Sequence, residues 1–382
     1  MSSESTQAPD RKPPAAAHKS PAAVRKPSAA AQDIVFDHVV KTYPNSTTPA
    51  VDDLSLTVPA GEICVLLGPS GSGKTTALMM VNRLAELTGG DIRIGERSIM
   101  DHDPIKLRRS IGYVIQQTGL FPHLTIADNI ATVPKVLGWD KKRVKERVSD
   151  LLELVGLPPG EYGKRYPSQL SGGQRQRVGI ARALAADPPV MLMDEPFGAL
   201  DPITREHVQD EFLALHERIR KTVIFVSHDI DEAVKMGDRI AIFREGGKLA
   251  QYDTPRTLLK EPADAFVARF VGADRGLKRL TLTKLADLDL DPAPTDQDTA
   301  QLPALTADAS LRAALSLMVA EGTDAVRVTG PEAAGENKGK AEGKAEGEAE
   351  GKAEGEAEGK AEGEAEVLGL ATLDAVRKAG AA

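Results

Sequence analysis

The chain has 382 residues and a single cysteine, Cys64, so no disulfide can form within it. One thiol suits a reducing compartment. Placed in an apolar segment, Cys64 is expected to serve as a small buried hydrophobe. No stretch reaches the ~18 consecutive apolar residues that a membrane-spanning helix needs. The first residues hold no apolar core segment, so no secretory signal is expected. Charge is scarce in a less obvious way. The formal net charge is −8, but residues 332–366 hold twelve Glu and five Lys and supply −7 of it. The remainder is close to neutral, so charge argues neither for nor against nucleic acid. The apolar fraction of 41% is ordinary for a folded chain.

What the sequence does have is the octapeptide Gly68-Pro69-Ser70-Gly71-Ser72-Gly73-Lys74-Thr75. It fits the phosphate-loop pattern G-x-x-x-x-G-K-[ST]. The apolar run Ile63–Leu67 before it reads as a buried strand. Residues 76–87 after it read as a helix, with Ala77, Leu78, Val81 and Leu84 on one side and Gly89-Gly90 as a stop. Strand, loop and helix place backbone N–H groups and a helix N-terminus around one anion. A Cβ would block the approach of the phosphate, hence the glycines. In such a loop Lys74 reaches the terminal phosphates and the Thr75 hydroxyl ligates Mg²⁺. An accidental glycine-rich turn would not need that flanking pattern.

Residues 1–32 are rich in Ala, Pro, Ser and Lys and too poor in large apolar side chains to fold, so disorder is expected. Order is expected from residue 33. Ile34-Val35-Phe36 opens a strand, and Leu54–Val58 another. Tyr43 between them is an aromatic that can stack on a nucleobase or simply pack. Residues 91–94 and 111–115 read as strands, the second ending at Gln116. Thr125 and Asp128 resemble a capping box. Residues 140–155 read as an amphipathic helix whose basic face (Lys141, Lys142, Arg143, Lys145, Arg147) is better explained by solvent than by nucleic acid. Leu170-Ser171-Gly172-Gly173-Gln174 precedes another apolar-patterned helix and offers a second anion site. Two phosphate-gripping motifs in one domain suggest two chains sharing a nucleotide. Val190–Asp194 is an uninterrupted apolar strand, as in a parallel sheet covered on both faces, ending in Asp194-Glu195. Asp194 would hold Mg²⁺, and Glu195 would act as general base on a water. Asp201 lies in a tight turn. The strand Thr222–Val226 ends in Ser227-His228-Asp229, and His228 is placed to contact a γ-phosphate.

In this order and spacing the set resembles the ATP-binding-cassette (ABC) ATPases over residues 33–270. That resemblance implies an α/β fold, a phosphate-loop ATPase core with an antiparallel β subdomain and a helical signature subdomain. It implies a head-to-tail homodimer with ATP and Mg²⁺ between the phosphate loop of one subunit (Gly68–Thr75 and Thr76) and Ser171, Gly172, Gly173 and Gln174 of the other. Tyr43 becomes the adenine platform, and Gln116 the mobile-loop glutamine that senses Mg²⁺–ATP. Asp201 is counted with the nucleotide-binding residues, Glu195 is the base and His228 the γ-phosphate switch. Residues 108–117, Leu120–Thr125 and Phe270–Leu277 look more narrowly like the ATPases of quaternary-amine importers (glycine betaine, choline, carnitine, proline betaine). Such a subunit sits on the cytoplasmic face of the membrane against integral permease subunits, with an extracytoplasmic binding protein supplying solute through them. An importer of another solute, such as an amino acid, is the near alternative. A soluble cassette acting on nucleic acid or ribosomes is the distant one, and it usually carries coiled coils, zinc insertions or two cassettes, none of which is seen. Residues 271–382 are expected to form a small α+β region. Leu311–Val319 reads as a helix and Ala325–Val328 and Val367–Leu370 as strands, resembling one cystathionine-β-synthase-type (CBS) motif. A pair of motifs is usual, and the Thr372-to-Asp374 spacing is one residue short, so the resemblance does not extend cleanly to nucleotide binding. The tract at 332–366, with glycine at every fourth position from Gly339 to Gly363, excludes collagen and disfavours helix. A flexible acidic loop is expected.

Overall fold

A computed structural model describes residues 31–44, 46–116, 119–291, 302–330 and 367–381. The expectations for most of the N-terminal tail and for the acidic tract lie outside these residues. Among the described residues the strands form three sheets. The first is antiparallel. Its strands β1 (Ile34–Lys41), β2 (Val51–Val58), β4 (Gly89–Ile94) and β5 (Arg97–Ser98) lie in the order β2-β1-β4-β5. Gln32 is already placed, its carbonyl accepting from Thr222 Oγ1 at 2.5 Å.

The second sheet carries the site. It comprises β3 (Ile63–Leu67), β6 (Ile111–Val114), β7 (Val190–Asp194), β8 (Thr222–Val226), β9 (Arg239–Arg244) and β10 (Lys248–Asp253), in the order β10-β9-β3-β8-β7-β6. All its pairings are parallel except β10 with β9. Both faces are buried, and successive residues divide between two cores. Ile63, Val65 and Leu67 join the helices on one face. Cys64 and Leu66 face α1 (Lys74–Val81) and the antiparallel sheet on the other. That is why these strands read as apolar throughout. Cys64 is fully buried, which pushes its thiol pKa up to about 12 and suits it to a packing role.

On the first face lie α3 (Ile126–Val136), α4 (Lys141–Leu154), α6 (Gly172–Leu184) and α7 (Pro202–Ile219). The short helix α5 (Pro159–Tyr162) packs against α4, while α2 (Pro104–Ser110) lies on the other face, with its Leu107 in the core that contains α1. Asp140 caps α4, whose buried residues are Val144, Val148, Leu151 and Leu152. Thr125 caps α3 through the Asp128 N–H (3.1 Å), but the Asp128 carboxylate takes the Thr125 hydroxyl and Lys135 rather than closing a reciprocal box.

One element is shorter than its pattern suggests. α1 stops at Val81, not near residue 87. Arg108 donates to the carbonyls of Asn82 (3.2 Å) and Arg83 (2.5 Å), Arg83 takes φ +53°, and Leu84 is half exposed. Gly89-Gly90 opens β4 instead of ending the helix. A Cβ on Gly90 would lie 2.2 Å from the carbonyl oxygen of His38 in β1.

Helices α8 (Ile230–Met236), α9 (Pro255–Lys260), α10 (Ala265–Val271) and α11 (Arg275–Thr281) complete this body. Beyond them β11 (Ala304–Thr306), α12 (Leu311–Glu321), β12 (Ala325–Thr329), β13 (Val367–Thr372) and α13 (Leu373–Ala381) enclose a separate small core. β11 is parallel and β13 antiparallel to β12. Leu280 on α11 belongs to that core. On the other side of α11, buried Lys278 reaches Asp274 at 2.6 Å and Asp231 of α8 at 3.3 Å.

Candidate nucleotide site

The loop Gly68–Thr75 leaves the carboxyl end of β3, where ligands of open α/β sheets bind. Its shape depends on backbone that a side chain would obstruct. Gly73 sits at φ +91°, and a Cβ there would lie 2.1 Å from the Ala50 carbonyl oxygen. At Gly71, by contrast, a Cβ would meet nothing within 4 Å, so the space above the loop is open. Ser72 and Lys74 are buried. Lys74 Nζ donates to the carbonyls of Gly68 and Pro69, each at 2.8 Å. Burial draws the Lys74 pKa below its ordinary value, while Glu195 and Asp194 pull it back. The result is one cation, held against the loop and largely withdrawn from water, directed at whatever anion enters.

Opposite it, β7 ends at Asp194. Thr75 Oγ1 donates to Asp194 Oδ1 at 3.1 Å. Burial raises the Asp194 pKa, with the nearby Glu195 charge adding to the rise and the Thr75 hydroxyl opposing it. Glu195 has φ +42°, a conformation costly for a residue with a Cβ. Its amide nevertheless donates to Val226 O at 3.1 Å, so β8 holds the bend in place. Gln116, two residues beyond the end of β6 at Val114, donates through Nε2 to Glu195 Oε2 at 2.9 Å. His228 Nδ1 lies 3.5 Å from the same oxygen. Gln116, Asp194, Glu195, His228, Lys74 and Thr75 thus come together at the ends of four neighbouring parallel strands.

The other expected residues form a second group. Ser171 caps α6. Its hydroxyl accepts from Gln174 N (3.2 Å), while Gln174 Oε1 accepts from Ser171 N (2.9 Å) and Gln174 Nε2 donates to Tyr162 Oη (3.2 Å). Gly173 lies so near α7 that a Cβ would be 2.8 Å from Thr204 Cγ2. Asp201 caps α7, accepting from Thr204 N at 3.0 Å, and that bond is the chief reason its carboxyl is held below the usual range. Ser171–Gln174 and Asp201 are therefore neighbours of each other. No hydrogen bond among the described residues joins them to the phosphate loop. Tyr43 follows β1, is 42% exposed, and has Lys41 Nζ 4.9 Å from its ring centre.

Two residues not singled out from the sequence also belong here. Glu232 on α8 accepts from the Ser227 hydroxyl and from Gln209 Nε2 of α7 (2.9 Å). The only sequence signal was a carboxylate four residues after His228, which in a helix is unremarkable. Gln209, buried on α7, gave none.

The chain is similar to several known proteins. The ABC transporter family matches residues 51–198. The osmoprotectant import ATP-binding protein OsmV of Salmonella typhimurium is 56% identical over 64% of this chain and 64% of its own length. The carnitine transport ATP-binding protein OpuCA of Listeria monocytogenes is 49% identical over 77% of this chain and 71% of its own. Among solved structures, the dimeric post-hydrolysis state of the ATP-binding cassette MJ0796 bound to ADP and Pi is 35% identical. It covers 58% of this chain and 98% of that one, with a TM-score of 0.51. The chain belongs to the ATP-binding proteins of ABC transporters.

Proposed function

We propose that this chain hydrolyses ATP to drive an importer of quaternary-amine osmoprotectants, the class of glycine betaine, choline, carnitine and proline betaine. The hydrolytic part rests on one observation. The Glu195 carboxylate stands between Gln116 and His228, on the rim of a loop whose lysine is buried and whose space is open. The solute class rests on the relatives, since nothing in the nucleotide site would touch a transported solute.

The phosphate loop and Lys74 bind the phosphates of ATP. Thr75, Asp194 and Gln116 supply hard oxygen donors that fit Mg²⁺. Among the described residues no cluster of three or more His, Cys, Asp or Glu could hold a metal alone. That accords with a cation bound largely through the substrate's phosphates. Bound there, the cation would offset charge developing on the transferred phosphoryl group. Glu195 orients the attacking water and takes its proton. His228 holds the γ-phosphate side of that arrangement, and Tyr43 offers a face to adenine. Ser171–Gln174 and Asp201 act on the nucleotide of a second copy, because within one chain they lie apart from the loop. The dimeric form of the related cassette supports this reading. Closure of two copies on ATP and reopening after hydrolysis would move permease subunits between inward and outward states. No described helix is long and apolar enough to cross a membrane, so attachment would run through those subunits. An extracytoplasmic binding protein would deliver solute to them. The region after residue 270 is proposed as a CBS-like regulatory unit.

The test is uptake of labelled glycine betaine after a salt upshift, in cells stripped of other betaine transporters. The cells would carry the cognate permease and binding subunits with either this chain or Glu195→Gln. Uptake that depends on Glu195 supports motor and solute class together. ATP turnover without uptake would keep the motor and reject the solute.

A further inference from the structure

His228 is not positioned by its own contacts alone. It sits between β8 and α8 in a segment with polar bonds on both sides. Ser227 N donates to Leu66 O at 3.1 Å, tying the segment to the strand before the phosphate loop. Ser227 Oγ spans His228, accepting from Asp229 N at 3.0 Å. The Asp229 carboxylate then caps α8, accepting from Asp231 N (2.8 Å) and Glu232 N (3.3 Å). The Ser227 hydroxyl proton goes to one oxygen of Glu232. The other Glu232 oxygen accepts from Gln209 Nε2 at 2.9 Å. Gln209 is 5% exposed and lies two turns along α7, the helix that Asp201 caps and that packs against Gly173. Arg205, one turn earlier, donates to the Leu200 carbonyl at 3.0 Å, so this part of α7 also grips the turn before Asp201.

We infer that Glu232, with Gln209, is a positioning residue for His228. Its carboxylate ties the Ser227–Asp229 segment to α7, so that the γ-phosphate-facing histidine of one site and the partner-facing turn at Asp201 move as one unit. This rests on the role assigned above to His228. Placing a carboxylate between two donors, in a setting where burial raises its pKa, is costly unless both donors are met. Both are, which makes the link stiff. The bond pattern, not the charge, carries the function. A glutamine at 232 can accept from Ser227 through its oxygen and donate to Gln209 once the Gln209 amide turns over.

The experiment measures kcat, KM for ATP and melting temperature on the full chain, in five forms: unaltered, His228→Ala, Glu232→Ala, Glu232→Gln and Gln209→Leu. Glu232→Ala is expected to lower kcat about ten- to a hundredfold with KM shifted by less than about twofold, because a misplaced group costs turnover more than binding. Glu232→Gln is expected to retain at least about half of kcat, and Gln209→Leu to lose severalfold. A kcat for Glu232→Ala within about twofold of the unaltered chain would overturn the proposal. So would a Glu232→Gln as impaired as the alanine form, which would point to charge. Should Glu232→Ala fail to fold, Gln209→Leu decides, and full turnover there rejects the link. Full turnover by His228→Ala would remove the histidine's role and this inference with it. An inactive His228→Ala beside a fully active Glu232→Ala would leave that role standing and reject the inference alone.

Discussion

Holding the Asp194 carboxylate ionised costs the folded chain stability. Burial raises its pKa above the ordinary 3.8, so its carboxyl binds a proton more tightly when folded than when unfolded. Such a group helps stability only below about 3.8 and loses that contribution as pH rises through its folded pKa. Asp194→Asn, which can keep the Thr75 bond, is therefore expected to melt at a higher temperature than the unaltered chain at pH 7, without nucleotide or divalent cations. The gain should shrink toward pH 4 (about the ordinary carboxylate pKa). Calorimetry at the two pH values checks the sign, and a gain that persists at low pH would exclude this cause. The same variant should hydrolyse little ATP, as expected where a site is built against stability. Glu195→Gln should lower kcat by roughly 10²- to 10⁴-fold while equilibrium binding of ATP persists. Full turnover would dismiss Glu195 as the base.

At the scale of elements, two turns do much of the positioning. Gly73 lets the loop pass the Ala50 carbonyl on its way into α1. Gly73→Ala puts a Cβ at 2.1 Å from that oxygen and strains a positive φ. The loop must then shift, and ATP binding measured by nucleotide titration should be lost before the fold is. Ser171 begins α6 through a reciprocal cap. Ser171→Ala should cost about 1 kcal/mol in a denaturant titration, with a larger fractional loss of turnover because the same hydroxyl is proposed to face a partner's nucleotide. Both elements were legible in the sequence, since each announces itself through glycine and capping chemistry at fixed spacing. The end of α1 was not. Its apolar periodicity runs on to Leu84, and only the arrival of Arg108 at the Asn82 and Arg83 carbonyls ends it.

At the scale of the whole molecule, the expected site residues fall into two groups that one chain does not bring together. A dimer that shares its nucleotides predicts complementation. Lys74→Ala chains and Ser171→Ala chains should each be nearly inactive. Mixed, they form some dimers in which one site keeps both Lys74 and Ser171, and turnover should reappear as the two are titrated together. Absence of any recovery at saturating protein would count against shared sites. The C-terminal core is joined to the ATPase body through Leu280 on α11, the helix whose Lys278 is buried against Asp274 and Asp231, and Asp231 lies three residues from His228.

The sequence by itself determined the local motifs. A glycine loop closed by Lys74-Thr75, an apolar strand ending in Asp194-Glu195, and Ser171-Gly172-Gly173-Gln174 before a helix are local patterns, each readable because backbone geometry imposes it within a few residues. The parallel strands β3, β6, β7 and β8 were legible because both faces are covered and most of their positions are apolar, whereas β9, flanked by Arg239 and Arg244, was not read as a strand. Tertiary structure alone decided what depends on distant segments meeting. It set the length of α1, the start of β4 at Gly89, the shared Glu195 oxygen between Gln116 and His228, and the Gln209–Glu232–Ser227 link. A hydrogen bond between residues far apart in the chain leaves no periodicity behind it, only an ordinary polar residue at each end.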